Sequence, residues 1–159
     1  MNVAIRPACP ADRDGLAMIQ RAAIAAIDDG PYSVAERQAW RDNAVEDLCP
    51  LIRAGRYRVA EQAGVLLGGA GWEEDAAIGG ATIRAVFVDP ASHGKGIGAR
   101  LLGTIEQELA ARGITRLAVP AALNAIGFYR KLGYRPAGRR EAELGGMRLP
   151  YERMLKEAA

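Results

Sequence analysis

The sequence predicts an α+β fold, a single domain over residues 1–159 with a mixed, mostly antiparallel twisted sheet flanked by helices. Three observations carry this expectation. Hydrophobic periodicity switches repeatedly between two and about 3.6 residues, so strands and helices alternate along the chain. The apolar runs between Arg56 and Val88 are joined by connections too short for a helical crossover, which makes them antiparallel neighbours. An apolar, β-branched run carrying Ile83, Val86, Phe87 and Val88 ends at Asp89-Pro90 and leads through Gly94, Gly96 and Gly98 into a helix.

Composition narrows the possible functions. The 159 residues are 50% hydrophobic, which suits one compact domain with an ordinary core. Lys and Arg number 21 against 19 Asp and Glu, and a formal charge of +2 gives no nucleic-acid footprint. No apolar run is long enough to span a membrane, and Met-Asn-Val-Ala-Ile-Arg-Pro lacks the layout of a signal peptide. The expectation is a soluble cytoplasmic protein with no membrane partner. Cys9 and Cys49 are the only cysteines and lack metal spacing, and His93 is the only histidine, so neither a zinc site nor a Ser-His-Asp triad is expected.

The elements follow in order. Val3 and Ile5 alternate with polar or small residues and stop at Arg6-Pro7, a short first strand. Pro10-Ala-Asp12 opens a helix with Leu16, Ile19, Ala23 and Ile27 on one face, and Asp28-Asp-Gly-Pro31 breaks it. Ser33 and Glu36 form a capping box for a second helix through Trp40. A further helical segment carries Val45, Leu48 and Ile52, with an interruption near Pro50. Tyr57–Gln62 and Val65–Trp72 form a hairpin about Gly64, and the Ile83–Val88 strand follows. Ile97, Leu101, Leu102, Ile105 and Leu109 make the apolar stripe of the next helix, stopped at Gly113. Leu117 and Val119 form a strand ending at Pro120, and Ala125, Phe128, Tyr129 and Leu132 restore the helical period until Gly133. Tyr134–Arg139 and Leu149–Leu155 close the chain as a hairpin across Gly145-Gly146.

Glycines placed just ahead of a helix let a ligand approach the backbone, and the unpaired N–H groups there favour an anion. The loop is therefore read as a phosphate site. A P-loop would need Ser or Thr after Gly-Lys to hold magnesium, but Gly96 follows Lys95. A dinucleotide fingerprint is met formally by Gly94, Gly96 and Ala99, yet the following strand, Arg116–Val119, ends at Pro120 without the acid that would bind ribose.

Asp89-Pro90 with His93-Gly-Lys-Gly-Ile-Gly-Ala99, then Asn124-Ala-Ile-Gly-Phe-Tyr-Arg-Lys-Leu-Gly-Tyr134, resembles the GNAT superfamily of N-acetyltransferases. The resemblance implies acetyl-CoA as cofactor. Its pyrophosphate would lie on the backbone of His93, Gly94, Lys95, Gly96, Ile97, Gly98 and Ala99, and its pantetheine arm along the strand Val86, Phe87 and Val88. A backbone N–H there would hydrogen-bond the acetyl oxygen. Tyr129 matches the tyrosine that protonates the departing thiolate in that family, and Phe128 is expected to pack. His93 stands where relatives have Gln or Arg, and Ala122 where many carry an asparagine. Asn124 would cap the helix, contact the cofactor, or do both.

Two acids, Glu73 and Glu74, follow Trp72 where the family often places the base that deprotonates the amine; the other reading is a solvated turn. Tyr32 and Trp40 would wall an acceptor pocket, with Asp28 or Asp29 attracting the amine, or else the region is an ordinary loop with a packed tryptophan. The expected reaction is direct acetyl transfer to an amine of a small molecule or peptide in a ternary complex, because neither motif holds a cysteine to carry the acyl group. The alternative is a non-catalytic acyl-CoA-binding regulatory module. The family also implies a possible homodimer.

Overall fold

The computed structural model describes residues 2–27, 30–44 and 48–158. In chain order the elements are β1 (Ala4–Pro7), α1 (Arg13–Ala25), α2 (Val34–Asn43), α3 (Leu48–Arg53), β2 (Tyr57–Gln62), β3 (Val65–Asp75), β4 (Gly80–Val88), α4 (Ile97–Ala111), β5 (Arg116–Ala121), α5 (Ile126–Lys131), β6 (Arg135–Leu144) and β7 (Met147–Glu157). The strands form one sheet in the order β1-β2-β3-β4-β5-β7-β6. Every neighbouring pair is antiparallel except β4 and β5, as expected for a mixed sheet.

Alternation along the strands divides the core between the two faces. Ala60 on β2, Trp72 on β3, Ala81 and Ile83 on β4 and Met154 on β7 pack with the stripe Ile97, Leu101, Leu102, Ile105 and Leu109 of α4. Tyr57 and Val59 of β2 point the other way, against Leu16 of α1 and Leu48, Leu51 and Ile52 of α3. The capping box forms as expected: the Glu36 N–H donates to Ser33 Oγ at 3.1 Å, and the Ser33 N–H donates to the Glu36 carboxylate at 2.8 Å.

Several boundaries depart from the sequence reading. Pro50 does not interrupt α3 but sits in its first turn, where a missing N–H has no helical acceptor to satisfy. Ile27 lies beyond the end of α1, and Val45 is outside the described residues. Glu73-Glu74-Asp75 is strand, since β3 continues to Asp75 and the turn falls at 76–79. The last hairpin also keeps pairing to its tip, with Leu144 opposite Met147.

Two irregularities shape the centre of the sheet. Gly69 pairs with Phe87 and Gly71 with Arg84, so Ala85 and Val86 together face the single residue Ala70, which is a β-bulge. Ala85 takes φ +52°, unusual for a residue with a Cβ. The Tyr57 hydroxyl donates to the Ala85 carbonyl oxygen at 2.7 Å and holds the bulge in place. Its ring occupies the space that side chains at Gly69 and Gly71 would need, because a Cβ there would stand 2.5 and 2.7 Å from it.

The other irregularity is a parting of strands. β4 and β5 pair only at Ala81–Leu117 and Thr82–Ala118. Beyond those pairs they diverge, and among the described residues no ladder pairing joins Val86, Phe87 and Val88 to β5.

Candidate active site

The gap between β4 and β5 opens into a cleft of about 930 Å³, within the usual range for small-molecule sites. Val86, Phe87 and Val88 form one wall, and Val119, Pro120 and Ala122 face them. With no strand pairing to β5 at that point among the described residues, the β4 edge could take an extended ligand as a further strand.

At one end lies the glycine loop. Asp89 starts it by accepting the Ala91 N–H, in a short 3-10 turn over Pro90–Ser92. Gly94 and Gly96 have φ of +80° and +76°, a conformation that L side chains resist. Gly96 opens α4, and among the described residues no side chain caps that helix, so its first-turn N–H groups could receive an anion. A Cβ on Gly98 would come within 3.0 Å of the Phe128 ring, so glycine there allows α4 and α5 to approach closely. Gly94, Gly96, Ile97 and Gly98 line the cleft, whereas Lys95 and Ala99 do not.

His93 lines it as well, with Nε2 3.1 Å from the Val88 carbonyl oxygen. The carbonyl can only accept, so Nε2 carries the proton. The ring thus ties the loop to the end of β4. These features fit a diphosphate-bearing cofactor: a concave backbone, free amides and no side chain filling the space.

Tyr129 borders the cleft from α5. It is edge-on to Phe128 at 5.0 Å and to Tyr134 at 5.7 Å, and Tyr134 in turn donates to Glu106 at 2.8 Å. The Tyr129 hydroxyl makes no hydrogen bond among the described residues. Burial raises its pKa above the ordinary tyrosine value, so the phenol holds its proton through neutral and mildly alkaline pH. Asn124 lies on the cleft in a 3-10 turn and caps neither that turn nor α5. The capping role read from the sequence is thus not seen, and the side chain stands on the cleft border.

Aromatic side chains wall the α1/α2 side. Trp40 stands 5.5 Å from Tyr32 and 6.2 Å from Phe87. The buried Tyr32 hydroxyl donates to the Pro150 carbonyl at 2.7 Å and accepts the Leu123 N–H at 3.1 Å, joining three separate segments at the cleft. Tyr32 is therefore both wall and strut. Asp28 and Asp29 lie outside the described residues.

The structure separates the two acids that the sequence offered as bases. On a continuous strand they project to opposite faces. Glu73 accepts from Arg84 at 3.0 Å, and Arg84 lines the cleft. Glu74 lies 3.9 Å from Arg56, and neither glutamate is itself among the residues lining the cleft. Sequence reasoning missed Arg84, Tyr151 and Glu143, all of which border the cleft. Glu143 and Tyr151 come from β6 and β7, and the only available signal was the alternation of that last hairpin.

Comparisons with known proteins follow the same geometry. A family model described as an acetyltransferase (GNAT) domain matches residues 53–136. The chain is 30% identical over 148 residues, 87% of this chain and 83% of the relative, to an L-methionine sulfoximine/L-methionine sulfone acetyltransferase of Pseudomonas aeruginosa. Among solved structures, a GCN5-related N-acetyltransferase from Rhodopseudomonas palustris superposes with a TM-score of 0.85 at 28% identity, covering 99% of this chain and 96% of that one. The PaiA N-acetyltransferase of Thermoplasma acidophilum, solved in complex with coenzyme A, shares the fold with a TM-score of 0.79 at 20% identity over 99% of both chains.

Proposed function

The chain belongs to the GNAT acetyltransferase family, and on that premise we propose that it transfers the acetyl group of acetyl-CoA to the primary amine of a small molecule by direct attack in a ternary complex. The observation that carries this reading is the parting of β4 from β5, with the amide cradle at one end and a protonated phenol on its border. Acetyl-CoA supplies an acyl group activated as a thioester.

Each residue then has a defined task. The N–H groups of the first turn of α4, with His93 through Ala99, hold the diphosphate, and the exposed Lys95 adds a screened attraction. The bulge at Ala85-Val86 interrupts the ladder between β3 and β4 beside the cleft, where it could release backbone N–H groups of β4. One of them can donate to the acetyl oxygen as negative charge builds there. Tyr129 keeps a proton at its phenol oxygen, available to the departing sulfur. Glu143 borders the cleft and Glu73 accepts from Arg84, which also borders it, and either carboxylate could take the amine proton directly or through water. Neither Cys9 nor Cys49 lines the cleft, in keeping with transfer without an acyl-enzyme.

The P. aeruginosa relative is named for L-methionine sulfoximine and L-methionine sulfone. These compounds are the first acceptors to assay, and the Tyr32, Trp40 and Phe87 wall could pack against the methylene part of such a side chain. The test is coenzyme A release from acetyl-CoA with an amine panel containing them, run beside heat stabilisation by coenzyme A. Amine-dependent release is expected. Stabilisation without release on any amine would instead favour a non-catalytic acyl-CoA-binding module.

A further inference from the structure

A second hollow of about 450 Å³ adjoins the cleft and shares Arg84, Val119, Pro120 and Tyr151 with its lining. It lies on the sheet face away from α4. Thr82 and Arg84 alternate with the core residues Ala81 and Ile83, and Tyr151 and Arg153 alternate with the core residue Met154. Three arginines line it, Arg84, Arg140 and Arg153, against one acid, Asp75. Asp75 is engaged by the Thr82 hydroxyl at 2.9 Å and the Ala77 N–H at 3.1 Å, and Arg84 is engaged by Glu73.

Arg140 and Arg153 differ from these. Neither has a hydrogen-bond or ion-pair partner among the described residues. Arg140 pairs with Tyr151 across β6 and β7, so Arg153 is its diagonal neighbour on the same face. Like charges so placed repel, and one anion held between them removes that cost. A guanidinium presents a planar fork of donors that matches a carboxylate.

We propose that this hollow is the anion subsite for the acceptor, in which Arg140 and Arg153 hold the carboxylate of an amino-acid substrate while its side chain lies against the Tyr32, Trp40 and Phe87 wall. This rests on the acetyltransferase reading above and adds the acceptor's chemical class. The carboxylate supplies orientation, presenting the amine to the gap between β4 and β5. Arg84, common to both spaces, borders the path between them.

The test is calorimetric titration of the coenzyme A-loaded protein with L-methionine sulfone and with its methyl ester, which differ in the negative charge. The wild type is expected to bind the free acid about tenfold or more tightly than the ester. In the Arg140→Gln, Arg153→Gln double variant the two should bind alike, through weaker binding of the acid, with affinity for the ester and for coenzyme A unchanged. Both arginines are at least partly exposed, so folding should survive, and the coenzyme A titration checks it. Equal binding of acid and ester by the wild type, no binding of either with coenzyme A bound, or a preference that survives in the double variant would overturn the subsite alone. A wild type that does not bind coenzyme A would overturn the acetyltransferase reading and the subsite with it.

Discussion

Replacing Tyr57 with Phe removes one oxygen, the donor to the Ala85 carbonyl, and leaves the buried ring over Gly69 and Gly71. The carbonyl would lose its hydroxyl partner beneath the helices, a change worth about 1–3 kcal/mol. Ala85 at φ +52° resists its own conformation by about 1–2 kcal/mol, so loss of the bond also frees the bulge to relax. The expected destabilisation is about 2 kcal/mol, read as a lower urea midpoint at unchanged slope. For a domain of this size that is a fall of about 4–8 °C in Tm. Because the bulge lies in the cleft wall, kcat/KM should fall by about tenfold while a folded population persists. Ala85→Gly removes the clash at positive φ and should restore part of the stability of the Tyr57 variant. A Tyr57→Phe protein with the wild-type midpoint and wild-type kcat/KM would refute the role given to this bond.

Gly96→Val should weaken coenzyme A binding by about a hundredfold in calorimetry, since a β-branched residue resists φ +76° and its side chain would enter the space proposed for the diphosphate, although no described protein atom apart from its chain neighbours lies within 4 Å of its Cβ. Glu73→Gln removes the negative charge that Arg84 pairs with beside the cleft and should lower kcat/KM about tenfold, whereas Glu74→Gln should leave it unchanged; the reverse order in steady-state kinetics would reassign the pair. Hydrogen bonds from Arg6 hold the Asp12 carboxyl well below the usual carboxylate range, aided by the Cys9 N–H. Its contribution is thus complete above about pH 4 and lost as the pH falls further, so Asp12→Asn should flatten the acid limb of a stability profile measured by urea unfolding. Burial raises the Tyr129 phenol, so kcat should show no loss of this proton below about pH 10, and an earlier alkaline fall that disappears in Tyr129→Phe would contradict that.

Much of the cofactor side was legible because its signals are local. Asp89-Pro90, the alternating glycines and the amphipathic α4 are contiguous, and each residue type answers a backbone need within a few positions. Tyr129 was marked by its flanking motif, and its helix lies where the apolar period placed it. The acceptor side was not legible in the same way. Arg84, Glu143, Tyr151 and Arg153 come from three strands, and two of those strands, β6 and β7, reach the cleft only because β7 inserts beside β5. No local period encodes that pairing. The bulge did leave a trace in Gly68, Gly69 and Gly71, an unusual run for a strand that marks a close approach, but the partner ring, Tyr57, could be named only once β2 and β3 were in register. Glu73 and Glu74 were ambiguous for a related reason. Whether they form a turn or a strand depends on the pairing of Asp75 with Gly80 across the hairpin.

A crystal structure of the protein soaked in acetyl-CoA would test the joint placement of loop and phenol most directly. The diphosphate should lie on the backbone amides between His93 and Ala99, the pantetheine arm along Val86–Val88, and the thioester sulfur within about 3.5 Å of the Tyr129 hydroxyl. Acetyl-CoA bound anywhere else, or bound in the cleft with its sulfur out of reach of that hydroxyl, would contradict the assignment.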